Sequence, residues 1–92
     1  MVCFITYDLN SEGQNYEDVI KTIKDCAVDG KWYSCWRSSY LIKTDMKVDE
    51  INDKIHQYLD KNDTLFVVEV TSNYQGWINK KDWDFVNKEI FS

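Results

Sequence analysis

Hydrophobic and polar positions alternate along this chain in short blocks, some with the two-residue period of a strand and some with the period of a helix. The run from Val2 to Leu9 is apolar and β-prone, and it ends at the turn-forming Asn10-Ser11-Glu12-Gly13. Tyr16, Val19, Ile20, Ile23 and Ala27 then recur at helical spacing with charged residues between them. That spacing predicts a helix with Asn15 as its N-cap and Asp29-Gly30 as its end. From Trp32 to Thr44 the chain reads as extended and is rich in Trp, Tyr and Ser. Val48, Ile51, Ile55, Tyr58 and Leu59 form the apolar stripe of a second helix, with Thr44 and Asp45 as candidate caps. Asp60-Lys61-Asn62-Asp63 turns into Leu65-Phe66-Val67-Val68-Glu69-Val70, the clearest strand of all. Gly76-Trp77-Ile78 reads as a short edge strand, and Trp83, Val86 and Ile90 suit a terminal helix.

This order predicts a single α+β domain over 1–92: a ferredoxin-like βαββαβ sheet with helices on one face and an extra C-terminal helix. It requires a break or hairpin within 32–44. In the last strand Leu65 and Val67 point one way while Phe66, Val68 and Val70 point the other; in the first, Val2 and Phe4 oppose Cys3, Ile5 and Leu9. Both faces are therefore apolar, which helices on one side do not explain. Each large side chain moved out of water contributes about 1.5–3 kcal/mol. A homodimer packed through the open sheet face, or addition of the C-terminal segment at a sheet edge, supplies that burial; the homodimer is expected.

Composition narrows the function classes. A net charge of −5 argues against a broadly basic, counterion-releasing surface. It leaves two local strips, Lys80-Lys81 and Arg37 with Lys43. Three Cys make no disulfide framework, and without a Cys-x-x-Cys pair or a His cluster they make no zinc site. Neither a signal peptide nor an apolar run of membrane-spanning length is visible, so the expectation is a reduced, cytoplasmic protein with no membrane contact.

Asp8 is the first residue with chemical promise. A carboxylate at the C-terminal end of a buried strand needs a partner, a solvated edge or a metal. It either binds Mg²⁺, which takes one or two carboxylates plus waters and phosphates, or it caps the N–H groups of the following loop. Arg37, Ser38 and Ser39 lie beside Trp36 and Tyr40 in the second extended stretch. They suit phosphate binding with base stacking, or else sheet packing and a dimer contact. His56, the single histidine, flanks the second helical stripe and reads as a surface residue. Cys3, Cys26 and Cys35 read as small buried apolar side chains.

Several segments also occur in a recognisable order: Tyr7-Asp8-Leu9 closing the first strand, Gly13-Gln14-Asn15-Tyr16 opening the first helix, and Trp32 through Ser39-Tyr40-Leu41-Ile42-Lys43-Thr44. Asp60-Lys61-Asn62-Asp63-Thr64-Leu65-Phe66-Val67 and Gly76-Trp77 follow. Together they resemble the SinR-like proteins of the CRISPR-associated Cas-two superfamily, along nearly the whole chain. The resemblance implies a ferredoxin-like homodimer that associates with nucleic acid in phage defence and is distantly similar to VapD-type ribonucleases. Several members are magnesium-dependent nucleases. On that pattern Asp8 matches the metal and catalytic position, and Tyr7 is the residue before it. One departure is plain: family members commonly carry Arg or Lys after the aspartate, whereas residues 10–15 here contain no cation. Arg37, Ser39 and Lys43 are then the candidate nucleic-acid contacts. Two function classes follow: a nucleic-acid-associated homodimer with Mg²⁺-dependent nuclease activity at Asp8, and a non-enzymatic dimeric adaptor or inhibitor that binds a defence-related protein. A small-nucleotide binder at the dimer cleft is a third.

Overall fold

The computed structural model describes residues 1–10 and 15–92. In chain order it contains β1 (Val2–Asp8), α1 (Tyr16–Cys26), β2 (Trp32–Tyr33), β3 (Ser39–Lys43), α2 (Val48–His56), β4 (Thr64–Val70) and α3 (Lys80–Phe85). A 3-10 turn at Val28–Gly30 follows α1, and α3 runs on into a π-helical turn at Val86–Ile90. The strands form one four-stranded sheet in the order β2-β3-β1-β4, with every neighbouring pair antiparallel. The domain is α+β. Among the described residues, no helix is long and apolar enough to cross a membrane.

β1 takes the centre of the sheet, where both its edges are paired and both its faces can be covered. β1 pairs Val2 with Lys43 through Thr6 with Ser39 on one side, and Val2 with Val70 through Asp8 with Thr64 on the other. Its odd-numbered side chains, Cys3, Ile5 and Tyr7, with Leu9 just beyond its end, are buried with Val19, Ile23, Ile51 and Ile55 of the two helices. Thr44 ties this layer together: its Oγ1 donates to the Cys26 carbonyl at 2.7 Å and accepts from the Met46 N–H at 3.0 Å. Thr44 is thus a buried staple between α1 and the end of β3, not a helix cap. The N-cap of α2 is Lys47, whose N–H donates to Glu50 Oε1 at 3.1 Å.

Other local expectations also change. Asn15 holds the N-cap position of α1, but in the left-handed region (φ 43°) and without a side-chain cap. Its Nδ2 instead donates to the Tyr58 carbonyl at 2.9 Å, fastening α1 to the segment after α2. The extended stretch 32–44 is broken at residues 34–38, where Ser34 Oγ donates to the carbonyls of Trp36 and Ser39. Gly76-Trp77-Ile78 forms no strand.

Helices do not lie on one face only. A second core joins Val2, Tyr33, Val86 and Ile90, flanked by Leu41, Val70, Tyr74, Ile78, Phe85 and Phe91. These strand residues belong to the face opposite α1 and α2, so α3 and its π-helical turn cover one end of that face. The Tyr33 hydroxyl donates to Asp82 Oδ2 at 2.8 Å, and the Tyr74 ring stacks on Phe91 at 4.0 Å between centroids. This C-terminal cover accounts for part of the two-sided hydrophobicity that the pattern alone assigned to a dimer or to edge addition. At the other end the face stays open: Phe66 is 64% exposed, Trp36 44% and Val68 37%, with Phe4 half-buried between them.

Candidate functional site

The open end of the sheet carries the residues with chemical promise. Asp8 is the last residue of β1 and pairs with Thr64 at the end of the ladder. Strand alternation turns Tyr7 into the helix-covered core and leaves Asp8 exposed. Across β1, the chain between β2 and β3 is pinned at Ser38, whose carbonyl accepts from the Tyr7 N–H at 3.1 Å and from Thr6 Oγ1 at 3.3 Å. Arg37, one residue earlier, is thereby delivered to the same end of the sheet. Asp8, Leu9, Asn10, Tyr16, Arg37 and Ser38 line a solvent-open cleft of about 630 Å³.

The carboxylate and the guanidinium share this cleft without an ion pair; among the described residues the Asp8 carboxylate accepts no hydrogen bond. Capping of the loop, the structural alternative for Asp8, falls to a different acid. The Asn10 N–H donates to Asp63 Oδ1 at 2.8 Å, and Asp63 Oδ2 accepts from the Asp60 N–H at 2.9 Å. Asp8 is left for solvent or a ligand.

The other candidates are distributed unevenly. Ser39 lies just behind the cleft, with its Oγ 2.9 Å from Thr6 Oγ1. Lys43 is at the far end of β3, opposite Val2, and its Nζ donates to the Ser92 carbonyl at 3.0 Å. Six residues of strand at about 3.3 Å each put it about 20 Å from the Asp8 end. Lys43 and Asp8 therefore do not share a site. Tyr7 is 3% exposed, and its hydroxyl has no hydrogen-bond partner among the described residues. Burial, reinforced by Tyr40 and Tyr16 nearby, pushes it up to about 12. It stays protonated near neutrality, on the face away from Asp8, and so has no part as a base in the cleft.

Three cleft residues carried no individual weight in the sequence: Leu9, Asn10 and Tyr16. Tyr16 belongs to the apolar stripe of α1 and packs 6.3 Å from the Tyr7 ring, yet its outer part borders the cleft. Trp36 stands next to Arg37 in the loop, edge-on to Phe4 at 6.0 Å and to Tyr33 at 5.6 Å. It leads from the cleft onto the uncovered sheet face. Cys3 and Cys26 are buried thiols raised chiefly by desolvation, whereas Cys35 is exposed in the β2–β3 loop, contrary to the buried position expected for it. His56 ends α2 on the surface, as expected.

Magnesium prefers oxygen ligands and commonly takes only one or two from protein carboxylates. Among the described residues, the cleft offers one carboxylate, Asp8, with the side-chain oxygens of Asn10 and Ser38; Glu12, the other acid near it in sequence, lies outside the described residues. Among the described residues, no group of three ligating side chains occurs. This donor set suits a cation held jointly with a phosphate, not one enclosed by protein. Comparison with protein-family models, with curated proteins and with solved structures finds no match for this chain.

Proposed function

We propose that this chain is a ferredoxin-like, homodimeric, nucleic-acid-associated protein of the Cas-two type, and that it contacts a phosphodiester at the cleft between β1 and the β2–β3 loop. The observation that carries this reading is the meeting of Arg37 with Asp8 in one solvent-open cleft. The cation lacking from residues 10–15 is supplied from another part of the chain. The alternation of strands and helices and the sheet order β2-β3-β1-β4 support the ferredoxin-like assignment.

Each residue then has a role. Arg37 offers a planar fork of donors to phosphate oxygens. The Ser38 hydroxyl and Asn10 amide add neutral donors, which orient without raising the net charge. Trp36 presents a ring on which an unpaired base stacks. Asp8 would hold Mg²⁺ together with the phosphate; when bound, that ion neutralises phosphate charge. With one Arg set against an overall charge of −5, binding is local and salt-sensitive.

The test is titration of labelled single-stranded and duplex oligonucleotides at stepped salt, with and without Mg²⁺. Charge-assisted hydrogen bonds contribute about 1.5–3 kcal/mol, so Arg37→Ala weakens binding roughly 10-fold or more. It also lowers the salt slope by about 0.7–0.9. Asp8→Ala abolishes any Mg²⁺-dependent component and any cleavage. Absence of binding, or binding indifferent to Arg37→Ala, overturns the reading. A second reading, a non-enzymatic adaptor for a protein partner, draws on the fully exposed Trp77. Capture of one defined protein with an affinity unchanged by Asp8→Ala and Arg37→Ala would select it.

A further inference from the structure

We propose that two copies of this chain join edge to edge through β4, as antiparallel strands related by a two-fold axis at Val67. The inference rests on the homodimer proposed above and specifies how the second copy docks: by strand pairing, not by packing of the sheet faces.

The hydrogen-bond directions of β1 fix which groups of β4 are free. Tyr7 N–H donates to Ser38 in the chain leading into β3, and Thr44 N–H donates to the Met1 carbonyl. Odd-numbered residues of β1 therefore direct their backbone groups to β3, and even-numbered ones direct theirs to β4. The β1–β4 register pairs Phe4 with Val68 and Thr6 with Phe66, so the even residues of β4 face β1. Leu65, Val67 and Glu69 point their N–H and C=O groups outward. Among the described residues, no backbone bond from another segment meets them.

This edge lacks the usual safeguards against pairing. It is seven residues long, without Pro, Lys or a bulge, and it carries one charge, Glu69. Its sequence is also self-complementary about Val67. Pairing about Val67 sets the outward residues Leu65, Val67 and Glu69 opposite the partner's Glu69, Val67 and Leu65, the positions that exchange backbone hydrogen bonds. Phe66 and Val68 then fall opposite the partner's Val68 and Phe66, in the closer, non-hydrogen-bonded pairs. These are two of the most exposed apolar side chains of the uncovered face. Moving the axis to Leu65 sets Phe66 against the partner's Thr64 and Val68 against the partner's Asn62, which forfeits the apolar match.

Three further observations favour a second copy as the occupant. The two Glu69 carboxylates lie about four residues apart along the paired strands, roughly 13 Å by strand rise, beyond the screening length at physiological salt. The assembly also closes. The opposite edge of the sheet is β2, only two residues long, so an eight-stranded dimer ends in short edges. The groove of about 340 Å³ between α2 and β4, bordered by Val48 and Leu65, leaves room beside the edge for the partner strand's side chains.

Sedimentation equilibrium and residue-resolved hydrogen exchange test this on the full chain. Wild type is expected at twice the chain mass, with slow exchange at Leu65, Val67 and Glu69. Val67→Pro removes an outward donor while sparing the ladder to β1, and is expected to yield a folded monomer by circular dichroism. Should that variant not fold, Phe66→Lys, at an exposed position, decides: it is expected to weaken the dimer at least about tenfold. A wild-type monomer overturns both edge pairing and the homodimer. A dimer whose outward amides exchange freely and that withstands Phe66→Lys overturns edge pairing alone, leaving the homodimer to another surface.

Discussion

Replacing Tyr7 by Phe removes a single oxygen from the interior of the domain. The ring is 3% exposed, packs against Tyr16 at 6.3 Å and belongs to the core beneath α1 and α2. Its hydroxyl has surrendered water without gaining a partner among the described residues, and an unsatisfied buried polar group costs about 1–3 kcal/mol. Part of that cost is offset by the contacts the oxygen makes with its neighbours. Tyr7→Phe is therefore expected to stabilise the domain by roughly 1–2 kcal/mol near neutral pH. For a domain of this size that corresponds to a rise in Tm of about 4–8 °C per kcal/mol. Urea denaturation by fluorescence measures it, with an unchanged slope against denaturant showing that the unfolded state is unaffected.

Burial of the same hydroxyl also sets a pH dependence, because the ionised form is costlier still to bury. The folded-state pKa is pushed up from the ordinary 10 to about 12, so on raising the pH the unfolded chain loses this proton first. Wild-type stability is therefore undiminished by this group below pH 10 and falls between pH 10 and 12, at up to about 1.4 kcal/mol per pH unit. The variant should lack this component, so its advantage widens over that interval. A Tyr7→Phe protein less stable than wild type by 1 kcal/mol or more would refute the reasoning, because it would mean that the hydroxyl is hydrogen-bonded. Loss of nucleic-acid binding in an otherwise stable variant would return Tyr7 to the site.

Three further perturbations probe the packing. Thr44→Val keeps the shape but strands the Cys26 carbonyl and the Met46 N–H; a loss of about 1–3 kcal/mol in urea denaturation is expected. Ile55→Ala, at a fully buried position between α2 and the sheet, should cost about 2–5 kcal/mol by the same measurement. Asn79→Ala removes the N-cap of α3, where Oδ1 accepts from the Asp82 N–H at 2.8 Å. A loss of about 0.5–2 kcal/mol is expected, with faster hydrogen exchange concentrated in 80–90.

The helices were legible because each buries one face, and burial of one face writes a period into the sequence. The stripes Val19–Ile23 and Ile51–Ile55 are of this kind, whereas β1 and β4 were legible as short continuous apolar runs. Capping was less legible. Asn15 and Thr44 have the right chemistry for N-caps, yet each spends its side chain on a distant carbonyl, at Tyr58 and Cys26. Sequence proximity cannot weigh such a bond against a local one. Periodicity also showed that both sheet faces are apolar, but not what covers the second. The answer is divided: α3 and its π-helical turn take one end, and Phe66, Val68 and Trp36 remain exposed at the other.

The candidate site shows the same division. Sequence alone placed Asp8 at the end of the first strand and singled it out, because a carboxylate there needs a partner, a solvated edge or a metal; the structure leaves it exposed. It also marked Arg37 as the chain's single arginine. Only the tertiary structure brings the two together, through the antiparallel β1–β3 pairing that pins Ser38 against Thr6 and Tyr7. The same pairing carries Lys43 to the opposite end of the sheet. Period and polarity are local properties, and the sequence determines them residue by residue. Which residues of different elements meet is set by strand register, a property of the folded chain as a whole.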